Sequence, residues 1–353
     1  MKSEPAETLT TAGLKSIHMR SDKNSVYRNQ APLQFGNSDD VAFVFDGELI
    51  SQILRSKSCE VIPISEEYKK LQSHTGIDFS ATIASMEAMP LFMQGDSHRK
   101  LRADMAAILG RNRKAQEITL TSCIDEIFED CVVAGKTFDF TQDLLFPLYH
   151  DLTNTLVGVD WSDPLLSDEF PRTLDPLLSL NKRKQLTSRM AGILEKYKDD
   201  EIPPDTKIAL VVLGHDTFIG ATALSLWSVI ERNSGKKLSE IEWPSSLPMT
   251  SASYSERIVI EDFELNGIYF PKGKTLRLVL EAATEYGPLE TKDIVFGKGR
   301  HACIGRSISE KTWELLTQKL GQYDLRVSPL RIEMRDPDSC FFFPIKCEVE
   351  FYE

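Results

Sequence analysis

The stretch that decides how this chain folds is Phe296-Gly-Lys-Gly-Arg-His-Ala-Cys-Ile-Gly305. Its three glycines allow left-handed backbone close to a flat partner, so we expect Cys303 to be displayed on a tight loop. A helical pattern begins near Ile304, and its N-terminus would place partial positive charge beside the sulfur and favour the thiolate. The pattern predicts a metal ligand, and the alternative is a buried structural cysteine.

This loop resembles the heme-binding loop of the cytochromes P450, the heme-thiolate monooxygenases. The residues that match the pattern of that loop are Phe296, Gly297, Gly299, His301, Cys303 and Gly305. The resemblance implies heme b with Cys303 as the proximal iron ligand. It also implies that Phe296, Arg300, His301 and Gly305 bind the cofactor. The fold implied is the mainly α cytochrome P450-like fold with a small β portion.

Three further basic residues match positions at which the family binds the heme propionates. His98 and Arg102 are one helical turn apart and therefore share a face. They resemble the His-x-x-x-Arg pair of the family, and Arg257 stands where the family has another propionate-binding arginine. A basic pair on a helix usually belongs to a solvated face. The assignment of His98 and Arg102 therefore depends on their occurring together with Arg257 and the cysteine loop, in the order along the chain that the family has.

The run Gly214-His-Asp-Thr217 resembles the oxygen-binding groove of the family. In this interpretation Thr217 positions a proton and Asp216 delivers it. The alternative is a threonine bonded back to its own helix beside an exposed aspartate. The candidate residues of the substrate pocket are Leu213, Phe218, Met249 and Thr250. Leu213 stands where the family usually has a smaller residue.

The sequence departs from the family in two places. The family has a Glu-x-x-Arg pair after the groove helix, but here Glu240 is followed by Trp243 at the arginine position, and the stretch from Ala282 to Phe296 also lacks the second arginine of the family. The missing charged network weakens the expectation of robust heme retention. The segment 158–207 is shorter than the lid of the family, which suggests an open pocket for a bulky substrate or one tethered to a carrier protein.

Composition limits the classes of partner. The chain has 353 residues and a net charge of −12, which argues against binding to nucleic acid or to an anionic membrane. Its six cysteines lack paired spacing, which indicates a reducing, cytoplasmic setting. The most apolar stretch, 208–230, is interrupted by His215-Asp-Thr217 and reads as a buried helix rather than a membrane span. We expect one P450-like domain over 1–353, with 1–15 as a mobile arm.

Periodicity and turn residues predict the main elements. The predicted helices lie at 47–55, from a cap at Ser97 to Gly110, at 207–232 (the groove helix) and at 304–320. The predicted strands lie at 41–45, between turns from 257 to 280, and at 341–352, where they close the chain.

The leading functional hypothesis is a monooxygenase that oxidises a C–H bond or double bond of a small organic substrate, in specialised metabolism. Its electrons would come from a separate ferredoxin and reductase, because the chain has neither a Gly-rich nucleotide fingerprint after a strand nor a second cysteine cluster. One alternative is heme-thiolate chemistry without dioxygen activation, either isomerisation or peroxide-driven oxidation. Another is a non-catalytic P450-like scaffold. His18, His74, His150 and His215 receive no role from the sequence.

Overall fold

The computed structural model describes residues 41–111, 113–175, 178–280, 294–335 and 341–353, together with the backbone of Leu33–Phe35. The predicted arm at 1–15 lies outside these residues. The chain divides into two compact units. The smaller unit contains Met1–Ile62 and Ala252–Cys303, and the larger contains Pro63–Ser251 and Ile304–Glu353. The prediction of a mainly α fold with small sheets is confirmed.

The smaller unit is built on a five-stranded sheet. Its strands, in spatial order, are β1 (Leu33–Phe35), β2 (Val41–Val44), β8 (Thr275–Val279), β5 (Tyr254–Val259) and β3 (Cys59–Glu60). Strands β2 and β8 are parallel, and the other neighbours are antiparallel. Helix α1 (Gly47–Arg55) follows β2, and Asp46 caps it by accepting a hydrogen bond of 2.7 Å from the amide of Leu49. Buried aliphatic side chains of α1 and the sheet form the core of this unit.

A hairpin extends from the sheet of the smaller unit. It joins β6 (Phe263–Leu265) to β7 (Ile268–Phe270) through Asn266 and Gly267, which have φ of 52° and 76°. Two successive residues with positive φ are what a tight two-residue hairpin requires, and Asn-Gly is the preferred pair. The turn predicted at this dipeptide is therefore confirmed.

The larger unit is mostly helical. Its helices are α2 (Ser65–Thr75), α3 (Ser80–Glu87), α4 (Gly95–Gly110), α5 (Arg113–Cys131), α6 (Phe146–Val157), α7 (Leu180–Lys196), α8 (Pro204–Arg232) and α9 (Arg306–Leu320). A three-stranded antiparallel sheet has the order β4 (Lys136–Asp139), β10 (Pro344–Tyr352), β9 (Arg326–Met334). Apolar residues from α4, α6, α7 and α8 share one buried core.

Helix α8 is the central helix of this unit. It is long and apolar enough to cross a membrane, yet 67% of its apolar window is buried inside the chain. Burial of this kind is typical of a core helix, as the sequence predicts. One π-helical turn, Leu210–Gly214, interrupts the α-helix just before His215. Such single turns occur frequently at functional sites.

Most predicted helix bounds agree with the structure, and α1 agrees at both ends. The predicted cap at Ser97 is wrong, because α4 begins at Gly95. Gly95 has φ of 67° and turns the chain into the helix, a conformation that glycine adopts without strain. The short segment at 158–207 contains one 3-10 turn, Phe170–Leu174, and one complete α-helix, α7, among its described residues.

Candidate functional site

The cysteine loop of the smaller unit displays its thiol. The amide of Cys303 donates to the carbonyl of Phe296 at 2.7 Å and closes the loop. Gly297 and Gly299 have φ of 65° and 72°, which only glycine adopts without strain. Cys303 is exposed, whereas three other cysteines are buried. The sequence prediction of a displayed cysteine is therefore confirmed in its local geometry.

The same loop is fixed against the end of α1. A side chain at Gly299 would place its Cβ 2.6 Å from the carbonyl oxygen of Leu54, so only glycine fits there. Arg300 donates to the backbone carbonyls of Ser56 at 3.0 Å and Cys59 at 3.2 Å. These contacts hold the backbone around Cys303 in one shape. Gly305 precedes α9, so the positive end of that helix begins directly after the cysteine.

Arg257 supplies positive charge inside the smaller unit. Its side chain is buried, with 5% of the residue exposed, and it donates to the Ser255 hydroxyl at 2.8 Å and to the Glu256 carbonyl at 2.7 Å. Among the residues that the structure describes, no carboxylate lies within ion-pair distance of Arg257. The carboxylate of the adjacent Glu256 binds Arg277 instead. Burial, together with the nearby charge of Arg300, lowers the pKa of Arg257 to about 10.

A buried guanidinium without a carboxylate partner is costly unless an anion compensates it. The observation at Arg257 therefore fits an anionic group such as a heme propionate. His98 is buried and Arg102 is half-buried on α4 of the larger unit, and His301 is half-buried in the cysteine loop. The convergence of these side chains on one cofactor stays a prediction.

A close contact with Tyr149 shapes α8 at Gly214, the first residue of the predicted groove. The hydroxyl of Tyr149 donates to the Leu210 carbonyl at 2.8 Å inside the π turn. An ideal Cβ at Gly214 would clash with that hydroxyl, so glycine is required at this position. Burial raises the pKa of Tyr149, and the charge of Asp216 adds to the effect. The phenol therefore stays neutral and acts as a hydrogen-bond donor.

One stripe of α8 near the π turn is partly exposed, whereas the neighbouring Val211, Val212, His215 and Asp216 are buried. The stripe contains Leu210, Leu213, Gly214 and Thr217, which recur at helical spacing. The Thr217 hydroxyl donates to the Leu213 carbonyl at 2.5 Å and approaches the Gly214 carbonyl at 3.1 Å. This is the back-bonded geometry considered as the alternative for Thr217. The oxygen lone pairs of the hydroxyl are still available to accept a hydrogen bond.

Asp216 lies on the buried side of α8, about 100° around the helix from Thr217. Its carboxylate is paired with the guanidinium of Arg335 and accepts a hydrogen bond of 2.8 Å from Nδ1 of His215. It is therefore not the exposed aspartate of the alternative interpretation.

The other pocket candidates differ in their surroundings. Phe218 is buried against Tyr149, with ring centroids 5.3 Å apart. Thr250 is also buried, and the amide of Met249 donates to the Ser225 hydroxyl at 3.2 Å. Leu213 alone among the four belongs to the partly exposed stripe of α8. Their role as a substrate pocket stays a prediction.

Trp243, at the position of the missing arginine, has an aromatic partner. Its ring lies 6.2 Å from that of Trp313 on α9, at 73°. The indole N–H of Trp313 donates to the Pro244 carbonyl at 2.7 Å. The only regular turn near Glu240 is the short 3-10 turn Leu238–Glu240, and residues 241–250 are irregular. An aromatic pair therefore stands in the region where the family has a charged network.

Sequence reasoning missed one cluster of the larger unit. His150, Asp168 and His215 place two imidazole nitrogens and a carboxylate oxygen within 4.8 Å of one another. The three residues belong to α6, to the segment before the 3-10 turn and to α8. Their wide separation in sequence gives no motif, so only the fold could reveal this cluster.

Comparisons with known proteins agree with this architecture. No protein-family model matches the sequence, and no curated protein matches it. Many solved structures match its fold. P450BioI, solved in complex with an acyl carrier protein ligated to hexadec-9Z-enoic acid, has TM-score 0.74 and 15% identity over 96% of this chain and 99% of that one.

Two further structures give similar values. CalO2 has TM-score 0.74 and 14% identity over 98% of each chain. The cytochrome P450 CYP109B1 from Bacillus subtilis has TM-score 0.68 and 15% identity over 93% of this chain and 98% of that one. The fold is shared but few residues are identical, so the fold alone does not identify the chemistry. Inferences about chemistry must rest on local sequence patterns.

Proposed function

We propose that this chain, which has the fold of the cytochromes P450, is a heme-thiolate oxidoreductase that acts as a monooxygenase on a small organic substrate. The observation that carries the proposal is the exposed Cys303 on a glycine-shaped loop, at the start of a helix. Heme held by a thiolate supplies one-electron and dioxygen chemistry that the axial sulfur tunes. The other proposed roles, in binding the cofactor and in handling protons, are those of side chains of this chain.

Arg257 binds the cofactor in this proposal. Its buried guanidinium has the charge and the desolvation that a propionate would relieve. His98, Arg102 and His301 complete the basic set by their resemblance to the propionate ligands of the family. Phe296 and Gly305 stand at the two ends of the loop. Arg300 holds the loop backbone in place by donating to the carbonyls of Ser56 and Cys59.

Thr217 and Asp216 are proposed to handle protons. Thr217 lies on the partly exposed stripe of α8, where its oxygen can accept from a water molecule. Asp216 is fixed on the other side of the helix by Arg335 and His215. A proton relay through Asp216 requires the carboxylate to exchange one of these partners for water, so His215 and Arg335 set how readily it does so.

The substrate is proposed to be a small organic molecule, either unattached or tethered to a carrier protein. The short lid segment, with one α-helix among its described residues, supports an accessible pocket. The fold neighbour that was solved with a ligated acyl carrier protein supports the tethered form. Electrons are proposed to come from a ferredoxin-type protein in the cytoplasm, because neither motif nor cysteine cluster for another redox centre is present in the sequence.

The test is the absorption spectrum of the reduced protein with carbon monoxide. The purified full chain should contain one heme b and show the red-shifted band of a thiolate complex. Cys303→Ala should abolish that band, while Cys131→Ala, which changes a half-buried cysteine of α5, should keep it. A protein that is folded by circular dichroism but cannot be reconstituted with heme would refute the proposal.

Heme-thiolate chemistry without dioxygen activation is the second candidate. The observation that favours it is Leu213, a bulky side chain on the exposed stripe of α8 beside Gly214. Turnover with peroxide but not with reductant and dioxygen would distinguish it. A non-catalytic scaffold would show neither reaction and would bind no heme.

A further inference from the structure

The His150, Asp168 and His215 cluster has the geometry of a metal site that is separate from the cysteine loop. Nε2 of His215 lies 3.3 Å from Oδ1 of Asp168, and Nε2 of His150 lies 3.6 Å from the same oxygen. Tetrahedral zinc with nitrogen and oxygen ligands at about 2.0–2.1 Å would separate neighbouring ligand atoms by about 3.3 Å. Two of the three spacings of the cluster are therefore close to the edge of such a tetrahedron, and the third is no longer than 4.8 Å.

The tautomer of His215 is determined by its other nitrogen. Nδ1 lies 2.8 Å from the carboxylate of Asp216, so it donates its proton there. Asp216 is held in turn by Arg335. Histidine ligands of metals commonly donate their second N–H to a carboxylate in this way, which fixes the ring and makes the remaining nitrogen a better ligand. Nε2 of the fully buried His215 is thus directed at Asp168.

The ring of His150 is also fixed. It stacks on the indole of Trp161, with centroids 4.3 Å apart and planes 12° apart. Its Nε2 atom is buried and makes no hydrogen bond among the described residues, as is also the case for Nε2 of His215. At 3.6 Å the contact of His150 with Asp168 is too long for a hydrogen bond. Two buried imidazole nitrogens therefore face one carboxylate without completing their bonding.

We propose that His150, Asp168 and His215 bind a zinc-class divalent cation, with a water molecule in the fourth position and Asp216 as the positioning carboxylate. The Asp168 side chain is 50% exposed, so the ion and its water can reach the site from solvent. Binding would displace any proton on Nε2 of His215 into solvent. The ion would join α6 and α8 to the segment that carries Asp168. This proposal does not depend on heme.

The test is zinc binding by the full chain after chelator treatment. In a competition titration with a chromophoric chelator, the parent should bind one zinc ion per chain. Asp168→Asn and His150→Gln should abolish binding at the zinc concentration that saturates the parent. Asp216→Asn, which changes only the positioning carboxylate, should weaken zinc binding by about 10–100-fold.

Two controls separate this cluster from other zinc-binding groups. His74→Gln changes an exposed histidine on α2 and should leave zinc binding unchanged. Cys303→Ala removes the exposed thiol and should also leave it unchanged. Absence of stoichiometric zinc in the parent would overturn the proposal. Retention of zinc by folded Asp168→Asn protein, with loss in Cys303→Ala, would place the ion at the thiol and overturn it as well.

Discussion

The hydroxyl of Tyr149 occupies the space that a side chain at Gly214 would need. This contact lets the phenol donate to the carbonyl of Leu210 within the π turn of α8. The groove, the back-bonded Thr217 and the ion-paired Asp216 all follow within three residues of that glycine. A tyrosine on α6 therefore supports the part of α8 to which we assign the chemistry.

Removing either member of this pair should destabilise the protein. Tyr149→Phe removes a donor to the part-buried Leu210 carbonyl and should lower the free energy of unfolding by about 1–3 kcal/mol, measured in urea. Gly214→Ala should also destabilise, because its methyl group meets the hydroxyl. In the double variant the hydroxyl is gone, so Gly214→Ala should cost less than it does in the parent.

Tyr269→Phe is the matched control for the phenol, because Tyr269 is 59% exposed on the β7 strand. It should change the free energy of unfolding by no more than about 0.5 kcal/mol. Strictly additive effects of Tyr149→Phe and Gly214→Ala would mean that the two residues do not contact each other.

Thr217→Ala should separate product formation from substrate binding. If the proposed oxidation operates, the variant should divert electrons to peroxide and form product about 100-fold more slowly, with nearly unchanged substrate affinity. Thr222→Ala is the matched control, since Thr222 makes the same back-bond to the Phe218 carbonyl at 2.7 Å but is buried. Equal coupling in the two variants would remove Thr217 from the mechanism.

The His215 cluster should make stability depend on pH. Burial opposes the charged form of His215, but the neighbouring carboxylates of Asp168 and Asp216 outweigh burial and raise the pKa of His215. A raised pKa means that this stabilisation is fully present below the ordinary value of 6.5 and is lost as the pH rises through the folded value. Urea unfolding with a chelator present should therefore show stability falling above neutral pH.

Asp168 should make the stability of the protein fall as the pH is lowered into the acid range. Burial opposes its ionisation, yet the nearby imidazoles of His150 and His215 outweigh burial and lower the pKa of Asp168. Its stabilisation is present above the ordinary value of 3.8 and is lost as the pH falls toward the lowered value. The other ionisable groups around His215 are Tyr149, Asp216 and Arg335. Asp168→Asn should reduce the loss of stability that the parent shows above neutral pH.

With saturating zinc, the stability of the parent should rise rather than fall as the pH increases above neutral. Protons and zinc compete for Nε2 of His215, so saturating zinc should stabilise the parent more as the pH rises. The same pH profile with zinc and with chelator would contradict the proposed cation site.

Restoring the residue type of the family at position 243 should not stabilise this chain. Trp243→Arg removes the contact with Trp313, and the sequence between Ala282 and Phe296 provides no second arginine to complete a network. We expect a loss of about 1–3 kcal/mol in the free energy of unfolding. Trp243→Phe keeps an aromatic ring and should cost less. A gain in stability or in heme retention by Trp243→Arg would indicate that a charged network can still form.

We expect a basic surface formed by Arg99, Lys100, Arg111, Arg113 and Lys114, on α4, on α5 and between them, to govern docking of an acidic ferredoxin. Two of these cations are paired locally, Arg99 with Asp96 and Arg111 with Glu201. Lys100, Arg113 and Lys114 are exposed and make no ion pair within the described ranges. Lys114→Glu should slow reduction several-fold at low salt and weaken its salt dependence. Lys184→Glu, on the exposed face of α7, should not.

The sequence by itself determined the parts of this protein that depend on local geometry. Successive glycines specify a backbone that displays Cys303, and the Asn266-Gly267 pair specifies a tight turn. Apolar periodicity located α1, α8 and α9 because a helix must bury one face or all of it. These properties depend on residues near one another in the chain, so they can be read without the fold.

Tertiary structure alone decided which distant side chains meet. The pairing of Tyr149 with Gly214, and the cluster of His150, Asp168 and His215, join segments that share no sequence motif. The contact of Trp243 with Trp313 likewise depends on how α9 packs against an irregular segment. Packing and electrostatics act between residues that folding brings together, so contacts of this kind leave no periodic or local signal in the sequence.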